Sequence, residues 1–243
     1  IAIIVPNGYL GNKSENYRSL RTWILRHTRV AAIIGFPRFT FKKSGADVSA
    51  SVLILEKRKQ PLDDPRDTDE YPVYVNLLER VGWNIANKKA EPVYKRDLDS
   101  GAILLNENNE PILDADFEEV LRDMYRSPVI HAFPWIAKGV KDADVNDGWS
   151  VSINQILSNN DLLLDPKRLC RKYLELVDSI KNRTHYSLLD ICEIAPEGWK
   201  GKKNANIYRY VEISNVNGVA YEFQEVRGWQ LPSRAKHKVE RGD

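Results

Sequence analysis

Phe41, Lys42, Lys43 and Ser44 stand just ahead of a β-branched run, Val48 to Leu55. With Phe36-Pro37-Arg38-Phe39-Thr40 before them, they join an exposed-looking aromatic and two lysines to a strand whose two faces read as apolar or small. A ring held rigidly beside cations suits a nucleobase on a phosphate chain, because the ring offers a stacking face and the ammonium groups offer counter-charge. On composition alone, a loop with two core phenylalanines is the simpler account of Phe39 to Ser44. A second constellation, Ser233-Arg234-Ala235-Lys236 with Lys238 beyond it, follows a strand pair carrying Arg209 and Arg227. Basic residues on a hairpin can clamp phosphates, and arginine can read guanine bidentately. A basic surface turn is an equally good reading.

Other chemistries find no support. There is no Gly-x-Gly-x-x-Gly, no phosphate-binding P-loop and no Gly-x-Ser-x-Gly elbow. Asp63, Asp64 and Asp67 fall in a proline-containing charged loop and read as solvated acids rather than a metal site. His131 reads as a packed histidine rather than a base. The four histidines have no metal-ligand spacing, and the two cysteines, Cys170 and Cys192, make neither a disulfide framework nor a metal cluster. So few cysteines fit a reducing cytoplasm. No apolar run is long enough to span a bilayer, and no partner membrane is expected.

The net charge of +2 hides an asymmetry. Residues 1 to 43 carry eight Lys or Arg against Glu15 alone, residues 61 to 125 carry sixteen acids against seven bases, and residues 199 to 243 carry nine bases against five acids. An anionic partner is therefore expected at the ends of the chain. The 243 residues allow one large domain or two modest ones. Both ends read as cut, so the chain is expected to be a fragment of something longer.

The elements that must position these residues are α/β in order. Ile1 to Val5 is a short continuous apolar run, expected as a central parallel strand buried on both faces. Ser14 is an N-cap, and behind it Tyr17, Leu20, Trp23, Ile24 and His27 form the expected apolar stripe, with Arg18, Arg21 and Arg26 on the other side. Val30 to Ile34 and Val48 to Leu55 are further strands. Tyr71 to Leu78 returns as a strand or short helix, and Val81-Gly82-Trp83 is a turn. Residues 86 to 150 carry the weakest pattern, with Phe117, Val120, Leu121 and Met124 at helical spacing inside them. Asp165-Pro166 starts a connector helix running to Ile180. Tyr186 to Ile194 reads as a short amphipathic helix. Ile207 to Ile213 and Val219 to Val226 read as strands about the Asn217-Gly218 turn. A boundary is expected near residue 184.

Ile3-Ile4-Val5-Pro6-Asn7-Gly8-Tyr9-Leu10, Leu20-Arg21-x-Trp23-Ile24-Leu25, Ala32-Ile33-Ile34-x-Phe36-Pro37 and Phe41 through Lys57 resemble, in order, the second half of an adenine-specific DNA methyltransferase of restriction–modification systems. The similar enzymes are type I modification subunits and single-chain type II methyltransferases. Tyr208 to Ser214 and Leu231 to Lys236 with Val239 to Asp243 resemble the opening of a target-recognition domain in a specificity subunit.

The resemblance implies the C-terminal half of a Rossmann-like methyltransferase sheet in residues 1–90. An elaboration and helical connector would follow in 91–183, and the start of an α+β DNA target-recognition domain in 184–243. It implies S-adenosylmethionine as methyl donor, double-stranded DNA as partner, and an adenine flipped into a pocket for methylation of its exocyclic amine. Phe41 matches the aromatic that stacks on that base, with Lys42, Lys43 and Ser44 along the DNA backbone. Arg209, Arg227, Ser233, Arg234 and Lys236 are the further DNA-binding residues. The family's cofactor-binding glycine motif and its Asn/Asp-Pro-Pro-Tyr/Phe catalytic motif do not occur in this chain. The catalytic residues are therefore expected in a missing N-terminal half, with a specificity or restriction subunit as a further partner. The reading from another class is a non-catalytic DNA-binding or specificity and assembly module.

Overall fold

A computed structural model describes residues 1–138, 148–183, 186, 190, 204–217, 220–233 and 235 of the chain. They fall into two units, Ile1–Arg183 and Thr184–Asp243. The first is built on a mixed five-stranded sheet in the order β1 (Ala2–Pro6), β3 (Ala50–Lys57), β2 (Thr28–Gly35), β4 (Pro72–Leu77), β5 (Ser150–Ser152). Its centre is β2 (Thr28–Gly35), where Val30, Ala31, Ala32 and Ile33 are fully buried. β3 (Ala50–Lys57) pairs with β2 antiparallel, and β4 (Pro72–Leu77) pairs with it in parallel on the other side. β5 (Ser150–Ser152) adds antiparallel to β4. The α/β character expected from the order of elements is present.

Several expectations of burial are overturned. β1 (Ala2–Pro6) is neither central nor parallel: it lies at the edge, antiparallel to β3, with Ile3 46% and Ile4 51% exposed. A continuous apolar run signals that both faces want cover, but it carries no information about which strand supplies it. α1 (Asn7–Gly11) follows, then α2 (Glu15–His27), which begins after Ser14 as expected. The buried side of α2 carries Arg21 and Leu25, whereas Leu20 and Trp23 are exposed, Trp23 at 56%. Arg21 is wholly buried because its guanidinium donates to the main-chain oxygens of Tyr9 and Asp161, each at 2.8 Å. An apolar stripe cannot foresee an arginine that goes inside to satisfy carbonyls. Burial pushes its pKa down.

Tyr71 to Leu78 resolves as the strand β4. α3 (Phe117–Arg126) buries Val120 and Met124 of the expected stripe and leaves Phe117 and Leu121 exposed. α4 (Val129–Ala132) carries His131 on the surface, not packed as expected. α5 (Ile153–Leu157) continues from β5. The connector is two helices: α6 (Pro166–Leu169), capped by Asp165 Oδ1 accepting from Lys167 N, and α7 (Arg171–Lys181). Cys170, extended at φ −70° and ψ 153°, separates them, and Tyr173, Leu176 and Ile180 remain exposed.

Between β4 and α3 the chain makes an arm, residues 81–115, folded back on itself. Paired bridges run Val81 to Ala115, Trp83 to Pro92, Tyr94 to Leu113, Arg96 to Ile103 and Leu105 to Pro111. Its root is pinned by Asp116, whose Oδ2 accepts from the main-chain N–H groups of Glu79 and Arg80 while Oδ1 accepts from Arg80 Nε.

In the second unit β6 (Ile207–Tyr210) and β9 (Gln224–Arg227) pair antiparallel. β7 (Val216–Asn217) and β8 (Ala220–Tyr221) pair antiparallel, and Gly218 of the expected Asn217-Gly218 turn lies outside the described residues. The expected long strands are shorter, because Ile213–Asn215 takes a 3-10 turn and the second run splits into β8 and β9. Most of the helix expected over Tyr186 to Ile194 lies outside the described residues.

Candidate functional site

The chain leaves the carboxyl end of β2 at Gly35 and returns to β3 through the loop holding Phe41. This loop is tightly self-bonded. Lys42 N donates to Phe39 O, Ser44 N and Ala46 N to Phe41 O, and Gly45 N to Lys42 O. Gly45 sits at φ +83°, where a side chain would be strained. Phe39 is left-handed at φ +71°, and its ring lies 4.6 Å from Arg38 Cζ and 5.0 Å from Lys42 Nζ. Phe41 is half-buried and meets Phe36 edge to face at 5.3 Å.

Two bonds tie this loop to the arm. Trp83 Nε1 donates to Thr40 O at 3.1 Å, and Lys42 Nζ donates to Ala86 O at 2.8 Å. Between loop and arm opens a cleft of about 350 Å³. Phe41, Lys43 and Ser44 line it from the loop, and Trp83, Pro92 and Leu113 from the arm. A concave, largely apolar site with a few polar groups is the usual form of a small-ligand pocket. Phe41, Lys43 and Ser44 are thus brought together. Lys42 is not on the cleft, because its ammonium turns to the Ala86 carbonyl. Lys43 is exposed and has no bonded partner among the described residues.

Sequence reasoning read Trp83 only as part of a turn. The available signal was Gly82-Trp83 itself: Gly82 holds φ +84°, which aims the following ring, and a Cβ there would crowd Leu113 at 3.3 Å.

A second cleft, about 540 Å³, lies past the carboxyl end of β4, with Asn76, Arg80, Asp116, Arg122, Asp123 and Arg126 among its walls. Beneath it the fully buried Tyr74 hydroxyl lies 2.9 Å from both Val120 O and Asp123 Oδ2, and it accepts from Asn76 Nδ2 at 2.7 Å. Burial pushes the Tyr74 pKa well up, so the phenol stays protonated. Burial also works to raise the Asp116 pKa. The N–H groups of Arg80 and Glu79 and the Arg80 guanidinium outweigh it and hold that carboxyl below its ordinary value. Both clefts follow the carboxyl ends of the parallel pair, where Gly35 and Leu77 are register partners. Crevices at that end of an α/β sheet are where ligands bind.

The remaining expected DNA-binding residues belong to the second unit. Arg209 and Arg227 share the exposed face of the β6–β9 pair. Arg209 lies over the Phe223 ring and 3.9 Å from Glu225, and Arg227 lies over Trp229. Ser233 is exposed. Arg234 and Lys236 lie outside the described residues. Among the described residues there is no cluster of metal-ligating side chains and no helix long and apolar enough to cross a membrane.

No protein-family model matches the chain, and no curated protein matches it. Among solved structures, one from work on complex assembly and conformational transition of the type I R-M system aligns at 19% identity and TM-score 0.36, over 74% of this chain and 31% of that one. A modification subunit of a putative type I restriction enzyme from Vibrio vulnificus YJ016 aligns at 16% identity and TM-score 0.30, over 64% of this chain and 23% of that one. The chain thus spans under a third of either, and likenesses of this strength do not establish a common fold.

Proposed function

We propose that this chain is part of a DNA adenine methyltransferase of a restriction–modification system and supplies base-stacking and DNA-reading parts rather than the catalytic motif. The observation that carries the reading is the cleft that unites Phe41, Lys43 and Ser44. An aromatic face, an exposed ammonium and a hydroxyl are what an extruded adenine with its phosphate would meet. The apolar edge strand β1, whose outer side has no partner among the described residues, suits a sheet completed by a further N-terminal half. The exposed pair Arg209 and Arg227 suits the start of a target-recognition domain that touches phosphates.

S-adenosylmethionine is the methyl donor in this reading. The larger cleft does not suit it: four carboxylates, those of Glu79, Asp116, Glu119 and Asp123, stand among three guanidiniums, with no aromatic ring to receive an adenine.

The test is N6-methyladenine in plasmid DNA from cells expressing the natural-length protein, measured by mass spectrometry. Its appearance, dependent on the protein, supports the methyltransferase. Unmodified DNA, with duplex binding retained, would leave the chain as a non-catalytic DNA-binding or assembly module.

A further inference from the structure

We infer that Trp83 is a second aromatic wall of the base cleft, so that the 81–115 arm is part of the nucleotide site and not an ornament on the sheet. The inference rests on the reading that this cleft takes an extruded base. Loop and arm come from the two parallel strands β2 and β4, and each delivers one aromatic to the same 350 Å³ space, Phe41 from the loop and Trp83 from the arm. The Trp83 ring is held in place. Its Nε1–H is bonded to Thr40 O, Gly82 fixes the backbone before it at φ +84°, and its ring lies 6.4 Å from that of Phe117, tilted by 30°. Of the four non-glycine residues with positive φ among those described, Ala90 lines this cleft and Phe39 immediately precedes the lining residue Thr40. Strained backbone concentrates where geometry serves a ligand. The occupant that two fixed rings and the free Lys43 ammonium recognise is a purine or pyrimidine ring carrying a phosphodiester.

The full chain is titrated with a duplex holding one 2-aminopurine opposite an abasic site, which lowers the cost of extrusion. Fluorescence reports the base, and anisotropy of an unmodified duplex reports general binding. Trp83→Ala is expected to weaken the binding constant read from the 2-aminopurine titration about five- to 150-fold, the range of one stacking interaction, with general binding changed less than about twofold. Trp83→Phe keeps a ring, loses only the Nε1 bond and is expected to keep the signal. It also serves if Trp83→Ala fails to fold. If Phe41→Ala loses the signal while Trp83→Ala keeps it, the cleft reading stands and the Trp83 wall is refuted. If Trp83→Phe loses as much as Trp83→Ala, Trp83 acts only through Thr40, and the stacking role is refuted. If neither Phe41→Ala nor Trp83→Ala changes the signal, the cleft reading itself falls.

Discussion

The ammonium of Lys42 donates to the carbonyl of Ala86 at 2.8 Å, across 44 residues of sequence, whereas its neighbour Lys43 faces solvent. Adjacent lysines of one motif thus differ: Lys42 fastens the loop to the arm, whereas the ammonium of Lys43 is exposed, and the proposed function gives it a phosphate to meet. Lys43→Ala should weaken duplex binding and make the slope of log K against log salt shallower by about 0.9, the value for a single neutralised phosphate. Lys42→Ala should leave that slope nearly unchanged while lowering the melting temperature. Binding isotherms at several salt concentrations separate the two. Equal slope changes would mean that Lys42 leaves Ala86 for DNA.

Arg21 joins α2 to the carbonyls of Tyr9 and Asp161 from a fully buried position. Arg21→Met removes the donors and strands those two oxygens, at a cost of about 2–6 kcal/mol. Urea unfolding of the chain should show it. A cost under about 1 kcal/mol would mean that water replaces the guanidinium.

Asp116 closes the root of the arm, and its folded pKa lies below the ordinary 3.8. Between the folded and unfolded values the unfolded chain binds more protons, so stability rises with pH through that window and is lost as pH falls through the folded pKa. Asp116→Asn should therefore cost about 1–3 kcal/mol above roughly pH 4, with the gap to wild type closing in stronger acid. Urea midpoints at about pH 3 and about pH 7 test this. A gap that does not depend on pH would assign the cost to packing.

Arg209 and Arg227 share an exposed face, but Arg209 stands near Glu225 and so has a competing anion. Arg227→Ala should reduce duplex affinity and salt slope more than Arg209→Ala does. Fluorescence anisotropy over a salt series measures both. Equal and unchanged slopes would make the ribbon structural.

Local pattern was enough for the strand about Val30, the Ser14 and Asp165 helix starts, and the grouping of Phe41, Lys43 and Ser44 on one loop; the strand expected from Val48 starts two residues later, at Ala50, and leaves Val48 exposed. These depend on neighbours a few residues apart, where periodicity and capping act directly. What the residues face was decided by tertiary structure. Ile3 and Ile4 carry the pattern of a buried strand and lie at an edge. Arg21 reads as surface and is buried, because its partners Tyr9 and Asp161 come together only in the fold. Phe41 was visible as a ring beside lysines. Its companion Trp83, its separation from the duties of Lys42 and the cleft itself exist because β2 and β4 run parallel and bring two distant loops to the same end of the sheet. Hydrophobic patterning records how much cover a segment needs. Register and long-range hydrogen bonds determine what provides that cover, and here they shaped the cleft.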